Sequence, residues 1–305
     1  MNALTPGAVL AELAAALPED CRSQVIIIGS LAAGYHFFAG DAERSIRTKD
    51  VDCMFSPHAK AVAAAGEVTQ RLLDAQWRAR ETGEWSAPGT AETPDDKLPL
   101  IRLHPPRDSG EAGWWLELLG APEEASPRDK AFHRVQIGRD HFAICSFSYL
   151  ALTEWNPIET PHGIRIARPE MMALANLLHH PKIGPELIKG TADKRSNKDL
   201  GRVLALAWLT AELDRREGTE EFAAWAPRMA DALRVRFPDR AAGLAQGAGS
   251  GLRELMASAG DRDEALGICN RGLLSSMEVG RDAFLAIGQR VIQQVIEPLE
   301  EAFKR

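Results

Sequence analysis

The stretch that most constrains this chain runs from Val25 to Phe55, VIIIGSLAAGYHFFAGDAERSIRTKDVDCMF. It holds four β-branched residues in a row, a Gly-Ser turn at Gly29 and Ser30, and, about twenty residues on, the carboxylate pair Asp50 and Asp52. Val25 to Ile28 has the length and branching of a buried strand. It stops at a glycine, where the backbone can approach a ligand closely. Ser30 then opens a helix, and the outward N–H groups of such a strand-to-helix turn suit phosphate oxygens. Downstream, Val51, Cys53 and Phe55 alternate with Asp50, Asp52 and Met54, so a strand here shows both aspartates on one face and buries the other. Two like charges side by side call for a cation.

A second Asp-x-Asp, Asp261 and Asp263, follows Gly260 in a polar stretch ahead of an apolar helical pattern and reads as a helix N-cap. A third carboxylate for the Asp50–Asp52 face is sought on a neighbouring strand. Glu117 is the one charge in Gly113-Trp114-Trp115-Leu116-Glu117-Leu118-Leu119, and a carboxylate among such residues needs a metal or a cationic side chain such as Arg102. Asp140, in Gly138-Arg139-Asp140 between two strand-like runs, reads as a hairpin turn.

Gly29-Ser30 followed by Thr48-Lys49-Asp50-Val51-Asp52 resembles the signature of the nucleotidyltransferase superfamily with the polymerase-β-like fold, over about the first half of the chain. Within it, Arg168-Pro169-Glu170-Met171-Met172-Ala173-Leu174 and Arg195-Ser196-Asn197-Lys198-Asp199-Leu200 resemble, more loosely, the AbiEii-type abortive-infection toxins. That branch usually carries a lysine in the first of these helices, where this chain has Ala175-Asn176. The resemblance implies two Mg²⁺ ions held by Asp50, Asp52 and Glu117, with Gly29 and Ser30 cradling the phosphates of an NTP. Lys49, Lys194, Arg195 and Lys198 would neutralise phosphate charge, and Asp199 would orient one of them. It implies transfer of a nucleoside monophosphate to an acceptor hydroxyl with release of pyrophosphate, an RNA acceptor such as a tRNA 3′ end, and an antitoxin protein as partner. The alternatives are a transferase acting on a small molecule of antibiotic type, and a catalytically idle fold serving as a binding module.

The length of 305 residues suggests two domains. The fold class expected is α/β in the α+β sense: a nucleotidyltransferase domain with a mixed sheet over 1–160, then an all-helical domain over 161–305, joined near Pro157 to Arg168. Helices are expected over Gly7 to Leu17 and His58 to Gln76, and hairpins over Leu98–Leu119 and Val135–Phe147. Arg78 to Pro99, rich in Gly, Pro, Thr and acids, reads as a mobile insertion. Ile164 to Ile166 reads as a last strand or a hinge. Helical spacing then returns through Met171–Leu178, Leu200–Leu213, Phe222–Val235 and Ala283–Val295, with a bend at Pro298.

Net charge is −7, which argues against a broad nucleic-acid surface, yet His179 to Arg202 holds six Lys or Arg against three acids. Such a patch suits a triphosphate or an RNA end, or is simply a solvated loop before a helix. Four cysteines far apart, without CxxC spacing, read as buried thiols of a reducing compartment. No apolar run is long enough to span a membrane and no basic amino-terminal segment signals export, so a cytoplasmic location is expected. HxxxH, HExxH, Gly-x-Ser-x-Gly and a Walker lysine are all absent, which turns the reading away from zinc and serine-nucleophile schemes.

Overall fold

The computed structural model describes residues 3–38, 44–48, 50–56, 58–79, 87–106, 114–122 and 130–304. It divides into two compact units, Met1–Ala167 and Arg168–Arg305.

The first unit is a mixed sheet with helices. Its elements in chain order are β1 (Ala3–Leu4), α1 (Pro6–Ala16), α2 (Glu19–Arg22), β2 (Val25–Ile28), α3 (Gly29–Phe38), β3 (Ile46–Arg47), β4 (Asp50–Phe55) and α4 (His58–Asp74). Then follow β5 (Arg78–Ala79), β6 (Arg102–His104), β7 (Trp115–Gly120), β8 (Lys130–Ile137), β9 (Asp140–Phe147), β10 (Ile158–Glu159) and β11 (Arg165–Ile166). The main sheet runs β10-β11-β2-β4-β7-β6-β5, with β9 pairing with β7 and β8 with β9, while β1 and β3 form a separate two-stranded ribbon.

All four residues of β2 are buried, as an apolar run inside a sheet must be. It lies antiparallel to β4, which in turn lies parallel to β7. The amphipathic α4 packs on β4, β7 and β8 and so covers one sheet face. On the opposite face, Met54 is covered by the 3₁₀ segment Ser148–Glu154, whose Thr153 lies 3.6 Å from the Met54 sulfur.

Two expectations are corrected here. The first unit ends at Ala167 rather than at residue 160, because β11 pairs parallel to β2 and Ala167 donates to the Ile27 carbonyl at 2.9 Å. Ladder bonds tie the whole 158–167 stretch to the sheet. The region expected as a mobile insertion, Arg78 to Pro99, is bonded in place over its described residues 78–79, which form β5 against β6, and 87–99. Gly89 exchanges both backbone hydrogen bonds with His141, Pro99 accepts from Ala143 at 2.9 Å, and the Arg134 guanidinium binds Asp95 and the Thr90 and Thr93 carbonyls. It is held by backbone bonds and one guanidinium rather than by an apolar stripe, which is why its side chains show no periodicity.

The regular elements described in the second unit are helices: α5 (Pro169–His179), α6 (Arg195–Glu217), α7 (Trp225–Arg236), α8 (Ala241–Gly247), α9 (Ser250–Ala257), α10 (Ala259–Arg271), α11 (Arg281–Val291) and α12 (Glu297–Glu301). The long α6 packs against α5, α9, α10 and α11. Between α11 and α12 the chain widens into one π turn, Ile292–Ile296, where Glu297 donates to the Ile292 carbonyl. Pro298 has no N–H and its ring crowds the preceding turn, and the wider turn just ahead of it gives that ring room.

Candidate functional site

Strand register assembles the site in two rows on one face of the sheet. Ile28 pairs with Asp52, Asp52 with Glu117 and Glu117 with Arg102, so one row crosses β2, β4, β7 and β6. The next row holds Asp50 opposite Trp115, whose ring meets the His104 ring edge-on at 6.1 Å. Directly opposed residues and their i+2 neighbours share a face, so Asp50, Asp52 and Glu117 project together. All three are half-buried, whereas Val51, Cys53, Leu116 and Leu118 between them are fully buried.

Gly29 lies where β2 passes into α3, with φ +71°, a left-handed conformation that an L side chain rarely adopts. A Cβ there would stand 2.6 Å from Asp52 Oδ2. The bend and the carboxylate are thus in direct contact, and only glycine leaves room for both. Ser30 is half-buried in the first turn of α3. Thr48, itself buried, donates through Oγ1 to Asp50 Oδ1 at 2.8 Å and fixes that carboxylate. Lys49 lies outside the described residues.

Glu117 has a partner of its own. Arg102 Nε and Nη2 reach its two oxygens at 2.8 and 3.1 Å, a two-pronged ion pair whose Glu117 side chain is only 14% exposed. Burial works against the Arg102 charge, but the Glu117 hydrogen bond and the nearby charges of Glu117, Asp50 and Asp52 outweigh it and raise its pKa. Arg102 therefore feels all three carboxylates. The Cys53 thiol is pushed up by burial and by Asp52; Cys145 is pushed up to about 11 by burial, with Glu117 adding to it and Lys130 and Arg102 opposing. Both stay protonated and inert as nucleophiles near neutrality.

Asp50 and Asp52 fit a hard divalent cation: the donor set is all oxygen, and Asp52 is held in front of an amide-lined bend. Glu117 already has a counter-charge, since each of its oxygens accepts one hydrogen bond from Arg102. Among the described residues, only Asp20, Cys21 and Glu67 bring three potential ligand atoms within 4.8 Å of one another. Asp50, Asp52 and Glu117 therefore share a face without converging on one point. At the Asp20 cluster the Cys21 thiol is buried, its pKa raised by burial and by the Glu67 and Asp20 charges, and the two acids are exposed.

The other residues expected to contact phosphate lie at the start of α6, each beside an acid of the second unit. Lys194 Nζ binds Asp261 at 2.7 Å, and Arg195 Nε binds Glu186 at 3.0 Å. Asp199 binds His180 Nε2 at 2.9 Å; burial would raise its pKa, but that bond with the Arg202, Lys198 and His180 charges brings it below the usual carboxylate range. Lys198 is half-buried in the same turn. Asp261 is not the N-cap expected from sequence. Ser258 caps α10 and accepts from the Asp261 N–H, while the Asp261 carboxylate also receives Asn197 and sits at a pKa of about 2. These bonds tie the start of α6 to the start of α10. Glu170, in the first stretch resembling the toxin branch, is buried against Arg228 at 3.3 Å and Arg168 at 3.8 Å.

Thr48, His104 and Trp115 were missed as members of the site. Their signal was phase: Arg102-x-His104 and Trp115-x-Glu117 repeat the alternation of Asp50-x-Asp52. No protein-family model, curated protein or solved structure matches this chain. Among the described residues no helix is long and apolar enough to cross a membrane.

Proposed function

We propose that the chain is a nucleotidyltransferase whose first unit has the polymerase-β-like fold, moving a nucleoside monophosphate from an NTP to an acceptor hydroxyl with release of pyrophosphate. The observation that carries this reading is the contact between the Gly29 bend and Asp52, with Asp50 and Glu117 on the same sheet face. A phosphate cradle and a carboxylate clamp are then adjacent, which is what binding a metal-complexed triphosphate requires.

Asp50 and Asp52 would hold Mg²⁺, which when bound neutralises triphosphate charge and makes the attacking hydroxyl more acidic. The amides of Gly29 and Ser30 take phosphate oxygens at the positive end of α3. Thr48 keeps the Asp50 carboxylate turned to the site, and Arg102, held by Glu117, contributes a fixed positive charge on the same face. Lys49, next to Asp50 in sequence, is the lysine proposed to meet the phosphates.

The acceptor in this reading is an RNA 3′ end such as that of tRNA, the protein a toxin of phage-defence type, its partner an antitoxin and its setting the cytoplasm. The support is the sequence likeness of Arg168–Leu174 and Arg195–Leu200 to the AbiEii-type branch. The test supplies each labelled NTP with Mg²⁺ and total RNA, either intact or with its 3′ diol destroyed by periodate. Label on intact RNA alone supports the reading. Label on neither RNA, with pyrophosphate released only when small hydroxylated molecules are added, replaces the RNA acceptor by a small one.

A further inference from the structure

We infer that this site takes a single divalent cation, held by Asp50 and Asp52, and that the Arg102 guanidinium stands where a second ion would bind beside Glu117. The inference rests on the nucleotidyltransferase reading and changes its expected cofactor from two ions to one.

Three observations carry it. Arg102 and Glu117 are a register pair of the β6–β7 ladder, so their contact is set by the backbone of the sheet and does not depend on a wandering side chain. Two parallel N–H···O bonds, at 2.8 and 3.1 Å, use both Glu117 oxygens in the geometry that a planar guanidinium matches best. An ion at Glu117 would have to share oxygens that already accept from Arg102 and would sit beside the guanidinium charge, at a like-charge cost.

The placement of the oxygens agrees, since the three carboxylates do not come within 4.8 Å of one another as ligands of a shared centre would.

The test counts Mn²⁺ bound to the purified full chain by the electron paramagnetic resonance signal of free Mn²⁺, with circular dichroism to confirm folding. Wild type is expected to bind one ion per chain, and Asp50→Asn with Asp52→Asn none. Arg102→Met, which frees Glu117, is expected to bind two. The double variant Arg102→Met, Glu117→Gln removes one charge of each sign; it should bind one ion with affinity within about threefold of wild type, because the field at the aspartates is nearly unchanged. Two ions on the wild type, one on Arg102→Met, or a more than roughly tenfold loss in the double variant would overturn the inference. Should Arg102→Met not fold, the wild-type count and the double variant still decide it. Two ions on an active wild type would defeat the inference alone, whereas no ion on the wild type would defeat the transferase reading beneath it.

Discussion

Replacing Gly29 by alanine should destabilise the first unit and disable its carboxylate, and the size of each effect follows from the geometry. At φ +71° a Cβ costs about 1 kcal/mol of backbone strain. That Cβ would also stand 2.6 Å from Asp52 Oδ2, where ordinary contact begins at 3.4 Å, so the carboxylate or the bend must yield by 0.8 Å. Overpacking of this kind costs a further 1–3 kcal/mol or so. The total, about 2–4 kcal/mol, should lower the unfolding temperature by roughly 6–12 °C at its midpoint. Gly138, in the turn between β8 and β9, supplies the control: its φ is +61° and a Cβ there meets nothing within 4 Å. Gly138→Ala should therefore cost about 1 kcal/mol of strain alone. Urea unfolding of both variants gives the difference, and Mn²⁺ titration should show weakening of about tenfold or more for Gly29→Ala and no change for Gly138→Ala. Equal destabilisation of the two variants, with Mn²⁺ binding intact in both, would refute the contact between bend and carboxylate.

Thr48→Val, which removes the hydroxyl that fixes Asp50, should weaken Mn²⁺ binding by about fivefold, read by the same titration. Asp261→Asn should cost about 1.5–3 kcal/mol at pH 7 by urea unfolding, since the carboxylate accepts from both Lys194 and Asn197. The folded-state pKa of Asp261 is lowered to about 2 from 3.8, so its stabilisation is complete above about pH 4 and is lost as the pH falls through about 2. The gap between wild type and Asp261→Asn should accordingly shrink between pH 4 and pH 2; a gap that stays constant would contradict the assignment. Ser258→Ala should cost about 1 kcal/mol by removing the cap of α10, again measured in urea.

The parts of this molecule that were legible in its sequence are those fixed by local pattern. Val25 to Ile28 has the length and branching of a buried strand, glycine marked its end, and the alternation over Asp50 to Phe55 told which face each side chain takes. Register between strands distant in sequence was not legible. That Asp52, Glu117 and Arg102 form one row depends on a parallel pairing of β4 with β7 across about sixty residues of chain, which no local spacing encodes. The sequence offered two partners for Glu117, a metal or Arg102, and the ladder brings the arginine to it. The start of α6 misled for a related reason. Lys194 and Arg195 look like a free basic cluster in sequence, but Asp261, from α10, and Glu186 fold back onto them. Short helices also escaped notice: α8 is largely alanine and glycine, which bury little and leave no periodic apolar stripe. β10 is too short for alternation to register and Ile164 to Ile166 read equally as a strand or a hinge, so the junction was legible only as a range, Pro157 to Arg168, within which the division after Ala167 falls.

The central claim, that Asp50 and Asp52 serve transfer of a nucleotide rather than mere binding, is tested most directly by following the two ends of the same NTP. The chain is incubated with Mg²⁺, total RNA and NTP labelled at either the α- or the γ-phosphate, beside an Asp50→Asn, Asp52→Asn variant. The α label is predicted to enter RNA and the γ label to leave as pyrophosphate, and both signals should vanish in the variant. Transfer that persists in the variant, or release of the γ label as inorganic phosphate with no α label on any acceptor, would contradict the claim.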